Sequence, residues 1–269
     1  MGEPKEIALS REALDAGFQL LHVTRAESTN AAALAAVLHG ADRFWLVADE
    51  QSAGRGRHGR TWASPPGNLY ASIGLASPCS AAKAPLLGFV AGLSLAEAIV
   101  SLAPALKPAV QLKWPNDCLM AGEKCVGILL EGSNGPDGRC AVVIGMGVNV
   151  LVAPEGLDQP ATSLARHSRA FTVQALFERL SARMAANLVL FADGVGFAAI
   201  RERWLEHAMA VGSPVRVKLP AGEITGAFAG IDGEGQLLVS RDGVVEAIVV
   251  GDVFPLGLGV DPEETARAG

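Results

Sequence analysis

Hydrophobic and polar positions split this chain into short apolar runs, a few long helical patterns, and joints marked by glycine and proline. Residues 20–23 read as a strand and residues 31–38 as an alanine-rich helix, which Ser28, Thr29 or Asn30 would cap. Residues 44–48 make a second strand, Pro65-Pro66-Gly67-Asn68 a turn, and residues 69–76 alternate enough to be a third strand. Residues 84–102 form a long core helix. The wider apolar stretch 88–106 contains Glu97, Pro104 and many small residues, which suits a buried helix better than a membrane span.

Residues 110–112 are a strand running into Lys113-Trp114-Pro115-Asn116-Asp117, where proline stops regular pairing. Residues 118–120 and 125–131 look like the arms of a hairpin around Ala121-Gly122-Glu123. A break at residues 133–138 leads to residues 140–152, a buried strand pair or one long strand. Residues 171–191 and 196–208 are amphipathic helices, with Leu176, Leu180, Met184, Leu188 and Phe191 on the apolar stripe of the first. From Gly212 the texture changes. Residues 215–219 alternate, turns recur at residues 220–222, 232–235 and 241–243, and the spacing predicts a small all-β barrel. Residues 261–269 are expected to fray.

Composition narrows the class. The 269 residues suffice for a large domain and a small one, and a hydrophobic content of 50% fits a globular chain. The net charge of −6 argues against a general nucleic-acid binder. Cys79, Cys118, Cys125 and Cys140 show neither CxxC spacing nor histidine pairing, so no metal site and no disulfide framework are expected. Reduced thiols and an N-terminus without an apolar leader point to a cytoplasmic protein with no membrane partner.

The candidate chemistry centres on Gln51-Ser52-Ala53-Gly54-Arg55-Gly56-Arg57-His58-Gly59-Arg60-Thr61-Trp62. Its glycines let the backbone wrap closely around something, and its arginines offer planar forks for carboxylate or phosphate. An empty loop of this kind is expected to move, and ordering it takes on the order of 10 kcal/mol of new contacts. A solvated surface loop is the plain alternative. Ser28, Thr29 and Asn30 are either just a helix cap or also a set of donors and acceptors for a polar ligand. Lys113, Asn116 and Asp117 at a strand end can hold phosphate, a ribose or purine edge and hydrated magnesium, or can simply form a solvated turn. Lys124 opens an apolar strand and should be partly enclosed. Asn149, the lone polar side chain of its run, is a structural asparagine or a ligand contact.

QSAGRGRHGRTWASPPGNLYAS, KWPNDCLMAGEKCVGILLEG and IGMGVNV, in that order, resemble the biotin–protein ligases. STN upstream and Ala161-Thr162-Ser163-Leu164 downstream fit as well, so the similarity runs from about residue 20 to residue 255. The resemblance implies an α+β fold: a mixed, largely antiparallel sheet flanked by helices, like the class II synthetases, plus a C-terminal SH3-like barrel. It divides the chain into a catalytic domain (1–210), the barrel (211–258) and a tail (259–269). It implies that ATP, with Mg2+, activates biotin to biotinyl-5′-AMP, and that biotin passes to a lysine of a biotin carboxyl carrier domain of a biotin-dependent carboxylase. Carried over by motif, the biotin-contacting positions are Ser28, Thr29, Asn30, Gln51, Arg55, Gly56, Arg57 and Lys124. The nucleotide-side positions are Arg55, Arg57, Trp62, Lys113, Asn116, Asp117 and Asn149, and Lys124, Arg57 and Asp117 are the catalytic candidates.

Three departures stand out. Ser52 replaces a common threonine, His58 falls at a variable basic position, and the twenty or so residues before the first strand leave no room for the DNA-binding domain of the family's regulatory members. A ligase-only type is therefore expected, with a homodimer left open. The nearest rival is a lipoate–protein ligase, which uses the same acyl-adenylate chemistry. A non-catalytic nucleotide- or carrier-binding protein is a more distant one.

Overall fold

The computed structural model describes residues 6–134, 140–155, 159–220 and 222–255. Most of the break at 133–138, Ala221 of the turn at 220–222, and the tail at 259–269 lie outside the described residues.

The larger sheet contains Gln19–Ala26 (β1), Phe44–Gln51 (β2), Leu69–Ala76 (β3), Val110–Lys113 (β4), Asp117–Met120 (β5), Glu123–Asn134 (β6) and Cys140–Val148 (β7). They lie in the order β1-β2-β3-β7-β6-β5-β4. β1 and β2 run parallel, and the remaining neighbours are antiparallel. The helices are Arg11–Asp15 (α1), Thr29–Leu38 (α2), Leu87–Leu102 (α3), Val173–Phe191 (α4) and Phe197–Leu205 (α5). The expected helices and strands are present with small shifts at their ends. α1 and a 3-10 segment at Pro104–Ala109 are additions the periodicity did not reveal.

Strand alternation divides the sheet into two faces. Trp45, Val47, Ala71, Ile73, Val142, Ile144, Val126 and Ile128 join the main core with α3 and α4. Phe44, Leu46, Ala141 and Val143 turn the other way and pack with Ala33 and Val37 of α2. Small residues share this second face. Gly127 pairs with Gly147 across β6 and β7, and Gly145 and Gly74 lie on β7 and β3. β3 is the expected strand, and seven of its eight residues are buried. Its period-two pattern is large against small rather than apolar against polar, as suits a central strand covered on both sides.

The stretch Ala84–Leu102 is long and apolar enough to cross a bilayer, but 67% of that window is buried within the fold. It packs against α4 and α5. Asn187 donates to Ser94 Oγ at 3.0 Å, and Arg203 pairs with Glu97.

The smaller sheet contains Pro214–Leu219 (β8), Gly222–Ile231 (β9), Leu237–Arg241 (β10), Val244–Ile248 (β11) and Asp252–Pro255 (β12), in the order β11-β10-β9-β8-β12. All its pairs are antiparallel. It docks beside the β4–β5 turn, where Trp114 Nε1 donates to Gly235 O at 3.0 Å. Lys83 meets Glu234 at 3.1 Å, and Arg201 donates to Ile231 O at 2.7 Å.

Gly74 fixes how closely α2 sits on the sheet. A Cβ there would stand 2.5 Å from the Phe44 ring and 2.9 Å from Val37 Cγ2. Gly74→Ala is expected to lower stability by about 1–3 kcal/mol in urea denaturation, and an unchanged midpoint would show that α2 yields freely.

Candidate active site

The site begins where α2 starts. Ser28 caps the helix by accepting Ala31 N–H, as expected. Thr29 donates its backbone N–H to Gln51 Oε1 at 2.8 Å, with its hydroxyl 3.1 Å from the same oxygen. Gln51 Nε2 donates to Ser64 Oγ at 3.0 Å. Ser72 Oγ lies 2.8 Å from Thr29 Oγ1 and 2.7 Å from Asn30 Oδ1. Asn30 donates to Leu129 O and to Glu131 Oε2, so both ends of its amide are engaged within the protein. Thr29, Asn30, Gln51 and Ser72 thus form one largely buried polar network, with Ser28 beside it as the helix cap.

The glycine–arginine loop folds as a closed hairpin. Trp62 N donates to Gly54 O at 2.9 Å, and Gly56 N donates to Arg60 O at 2.7 Å. Arg55 and Thr61 pair across it. A Cβ on Gly54 would lie 2.5 Å from both Trp62 O and Ser64 Oγ, so the close approach that glycine allows is to the loop's own return arm. His58 and Gly59 turn the tip with φ of +54° and +74°.

The arginines are anchored at three places. Arg55 Nη2 reaches Glu131 Oε1 at 3.4 Å. Arg57 Nη1 donates to Asn116 Oδ1 at 3.0 Å and to Asp252 Oδ1 at 3.1 Å. Arg60 Nη2 donates to Asp252 Oδ2 at 3.3 Å.

The β4–β5 turn and the start of β6 supply the lysines. Asp117 lies between them, with Oδ2 2.9 Å from Lys113 Nζ and Oδ1 2.7 Å from Lys124 Nζ. Burial would push the Asp117 carboxyl up, but the two ammonium groups outweigh it and hold it below the ordinary carboxylate range. Lys113 is itself buried, 3.3 Å from Gln159 Oε1 and 5.4 Å from the centre of the Phe254 ring. Lys124 is the more open of the two, with 24% of its side chain exposed and its Nζ 5.5 Å from the Trp62 ring centre. Asn116 is oriented by donating to Ile128 O at 2.8 Å.

Trp62 lies on the glycine floor of the sheet. A Cβ on Gly127 would come within 2.7 Å of the ring, and one on Gly147 within 2.5 Å of its Nε1. Residues 161–164 run beside Lys124, with Thr162 N donating to Lys124 O at 3.0 Å. Asn149, just past β7, donates to Thr162 O at 3.3 Å. Its Oδ1 is buried and has no hydrogen-bond partner among the described residues.

The polar site candidates therefore meet on the side of the sheet away from the main core. The sequence candidates left out six residues that join this set, among them Ser64 beside Gln51 and Gln159 beside Lys113. Ser72 and Glu131 carried a signal, as polar side chains within or at the end of apolar runs. Asp252 and Phe254 carried none, since β12 is brought in only by the docking of the small sheet. A separate cavity between α5 and β9, lined by Leu205, Met209 and Phe228, is no part of this set.

Comparison with known proteins fits this arrangement. Residues 24–149 match the biotin/lipoate A/B protein ligase family, and residues 211–254 match the biotin protein ligase C-terminal domain. The chain is 36% identical to a biotin–[acetyl-CoA-carboxylase] ligase of Paracoccus denitrificans, over 86% of this chain and 98% of that one. It is 35% identical to the ligase of the same name from Mycobacterium tuberculosis, over 88% and 89%. Among solved structures, the biotin protein ligase from Aquifex aeolicus in complex with biotin and ATP superposes with a TM-score of 0.73. It is 27% identical, with 88% of this chain and 97% of that one covered. With its site motifs in one place and its relatives matched almost end to end, the chain belongs to the biotin protein ligase family.

Proposed function

We propose that this protein joins biotin to ATP, making biotinyl-5′-AMP and pyrophosphate, and then transfers the biotinyl group to a lysine of a biotin carboxyl carrier domain with release of AMP. The names of its relatives from Paracoccus denitrificans and Mycobacterium tuberculosis support a carboxylase as the protein that bears this domain. The biotin and ATP bound in the Aquifex aeolicus structure support the substrates. The observation that carries the reading is the convergence of Lys124 and Arg57 beside the Thr29–Gln51 network, over the floor where Gly127 and Gly147 leave room for Trp62. The reading places the reaction in the cytoplasm.

The chemistry must bring two anions together. Biotin's carboxylate oxygen attacks the α-phosphorus of ATP, the bond to the bridging oxygen breaks, and pyrophosphate leaves. Lys124 and Arg57 neutralise the charge between the reactants, and Arg55 and the loop backbone close over them, so the rate gain comes from positioning and electrostatics. Closure also keeps water from the mixed anhydride. Magnesium enters with the nucleotide and offsets its phosphate charge. Trp62 and Asn149 serve the nucleotide side, and Ser28, Thr29 and Gln51 the polar head of biotin. Asn30 holds Ser72 and Glu131 in place. Asp117 is already bound by two ammonium groups, so its part is to orient Lys124 rather than to take a proton from the carrier lysine.

Incubation with biotin, MgATP and a biotin carrier domain is expected to raise the carrier's mass by one biotinyl group. Pyrophosphate release with lipoate but not with biotin would overturn the reading in favour of the lipoate branch. Lys124→Ala is expected to slow adenylate formation by at least about a hundredfold. A rate within a few-fold of wild type would remove Lys124 from its charge-neutralising role. Arg57→Ala should speed release of the bound adenylate by about tenfold in a filter-binding chase, and unchanged release would mean that the loop is not a lid.

Asp117 also predicts a pH dependence. Its folded-state pKa is depressed, so its contribution to stability is present above the unfolded value of about 4 and is lost as pH falls through the lower folded value. Urea stability should therefore drop more steeply between about pH 5 and pH 2 in the wild type than in Asp117→Asn. Equal slopes would contradict the paired state of this carboxylate.

A further inference from the structure

The site described above draws one carboxylate from the small sheet, and that group has no role in the scheme so far. Asp252 opens β12, where it stands opposite Lys218 of β8. Side chains alternate along this strand. Val253 points into the small core and is 1% exposed. Asp252 and Phe254 point the other way, toward the larger sheet. Asp252 grips Arg57 through Oδ1 at 3.1 Å and Arg60 through Oδ2 at 3.3 Å, and Phe254 lies over Lys113. Arg57 and Asp252 are 195 residues apart in the chain.

From this geometry we infer that Asp252 is a positioning residue for the adenylation step: it holds Arg57, and with it the glycine–arginine loop, in the orientation that meets the nucleotide. The inference rests on the function proposed above. The details favour a permanent brace over an anion that ATP must displace. Arg57 donates both of its hydrogen bonds from one nitrogen, Nη1, to Asn116 Oδ1 and to Asp252 Oδ1. The Nε and Nη2 edge of the fork has no partner among the described residues, so it can meet phosphate while Nη1 stays anchored. Asp252 is also poorly placed to withdraw. Its backbone is paired to β8 on one side of a buried valine. Gly251 just before it packs so closely that a Cβ would stand 3.0 Å from Lys218 O.

The test combines kinetics with a structural readout. Biotin-dependent pyrophosphate release is measured against ATP concentration for wild type, Asp252→Asn and Asp252→Glu. Biotin affinity is measured without ATP, and amide hydrogen exchange is followed in the ligand-free proteins. Asp252→Asn is expected to lower kcat/KM for ATP by about ten- to a hundredfold while biotin affinity stays within about twofold. Exchange across residues 54–62 should quicken while β3 and β7 remain protected, and Asp252→Glu should recover most of the loss.

Wild-type ATP kinetics in Asp252→Asn would overturn the inference. A faster reaction would also overturn it, by making Asp252 a competing anion. Asp252→Ser serves if Asp252→Asn does not fold. Failure of both to fold where Arg57→Ala folds would show that the carboxylate supports the strand rather than the loop. Absence of pyrophosphate release in the wild type would instead sink the proposed function, and unaltered loop exchange in a folded variant would sink the brace alone.

Discussion

The placement of Asp117 between two lysines is the constraint on which the site depends. Three charges sit together where water is largely excluded, and removing one partner from such a group costs roughly 3–5 kcal/mol, because a buried charge is left without its counter-ion. The group therefore locks the β4–β5 turn to the start of β6. It also leaves the two lysines unequal. Lys113 is enclosed by Asp117, Gln159 and Phe254, whereas Lys124 keeps a face toward Trp62. A single carboxylate thus fixes the position of a cation that would otherwise sample many rotamers, and lost rotamer freedom is much of what separates a surface lysine from a working one.

The sheet contributes by omission. Gly127, Gly145 and Gly147 lie on the face opposite the main core, and each is pressed by a side chain that a Cβ would displace. Trp62 rests where two of them pair, and Asn30 where the third lies. The hairpin can fold down because the floor beneath it is bare backbone. This explains why strands so apolar carry glycines at alternating positions without losing their place in the ladder.

Much of this could be read from the chain. Apolar periodicity located the strands and long helices, and local chemistry picked out the cap at Ser28, the arginines of the loop, and Lys124. Local reasoning stops at contacts made across the fold. Large and small residues alternate along β3, and sequence alone cannot say that α2 covers the small side. Asn30 looked like a ligand contact, yet its amide joins α2 to Leu129 and Glu131. The empty loop was expected to move, with new contacts needed to order it. Much of its anchoring comes from within, through its own return arm and through Asn116, Glu131 and Asp252.

The pairing of charges shows how such a site can be assembled before substrate arrives and still attract it. Arg55 leans on Glu131, Arg57 and Arg60 share Asp252, and Lys113 and Lys124 share Asp117. Five cations face three carboxylates, which leaves two positive charges over in a protein whose net charge is −6. Cations with no counter-ion would repel one another and scatter the loop, and full neutralisation would leave nothing for an incoming carboxylate and triphosphate. Sharing one carboxylate between two cations avoids both extremes. It holds each cation in place while keeping part of its hydrogen-bonding capacity unsatisfied, and inside a site of low dielectric that residual charge acts far more strongly than it would in water.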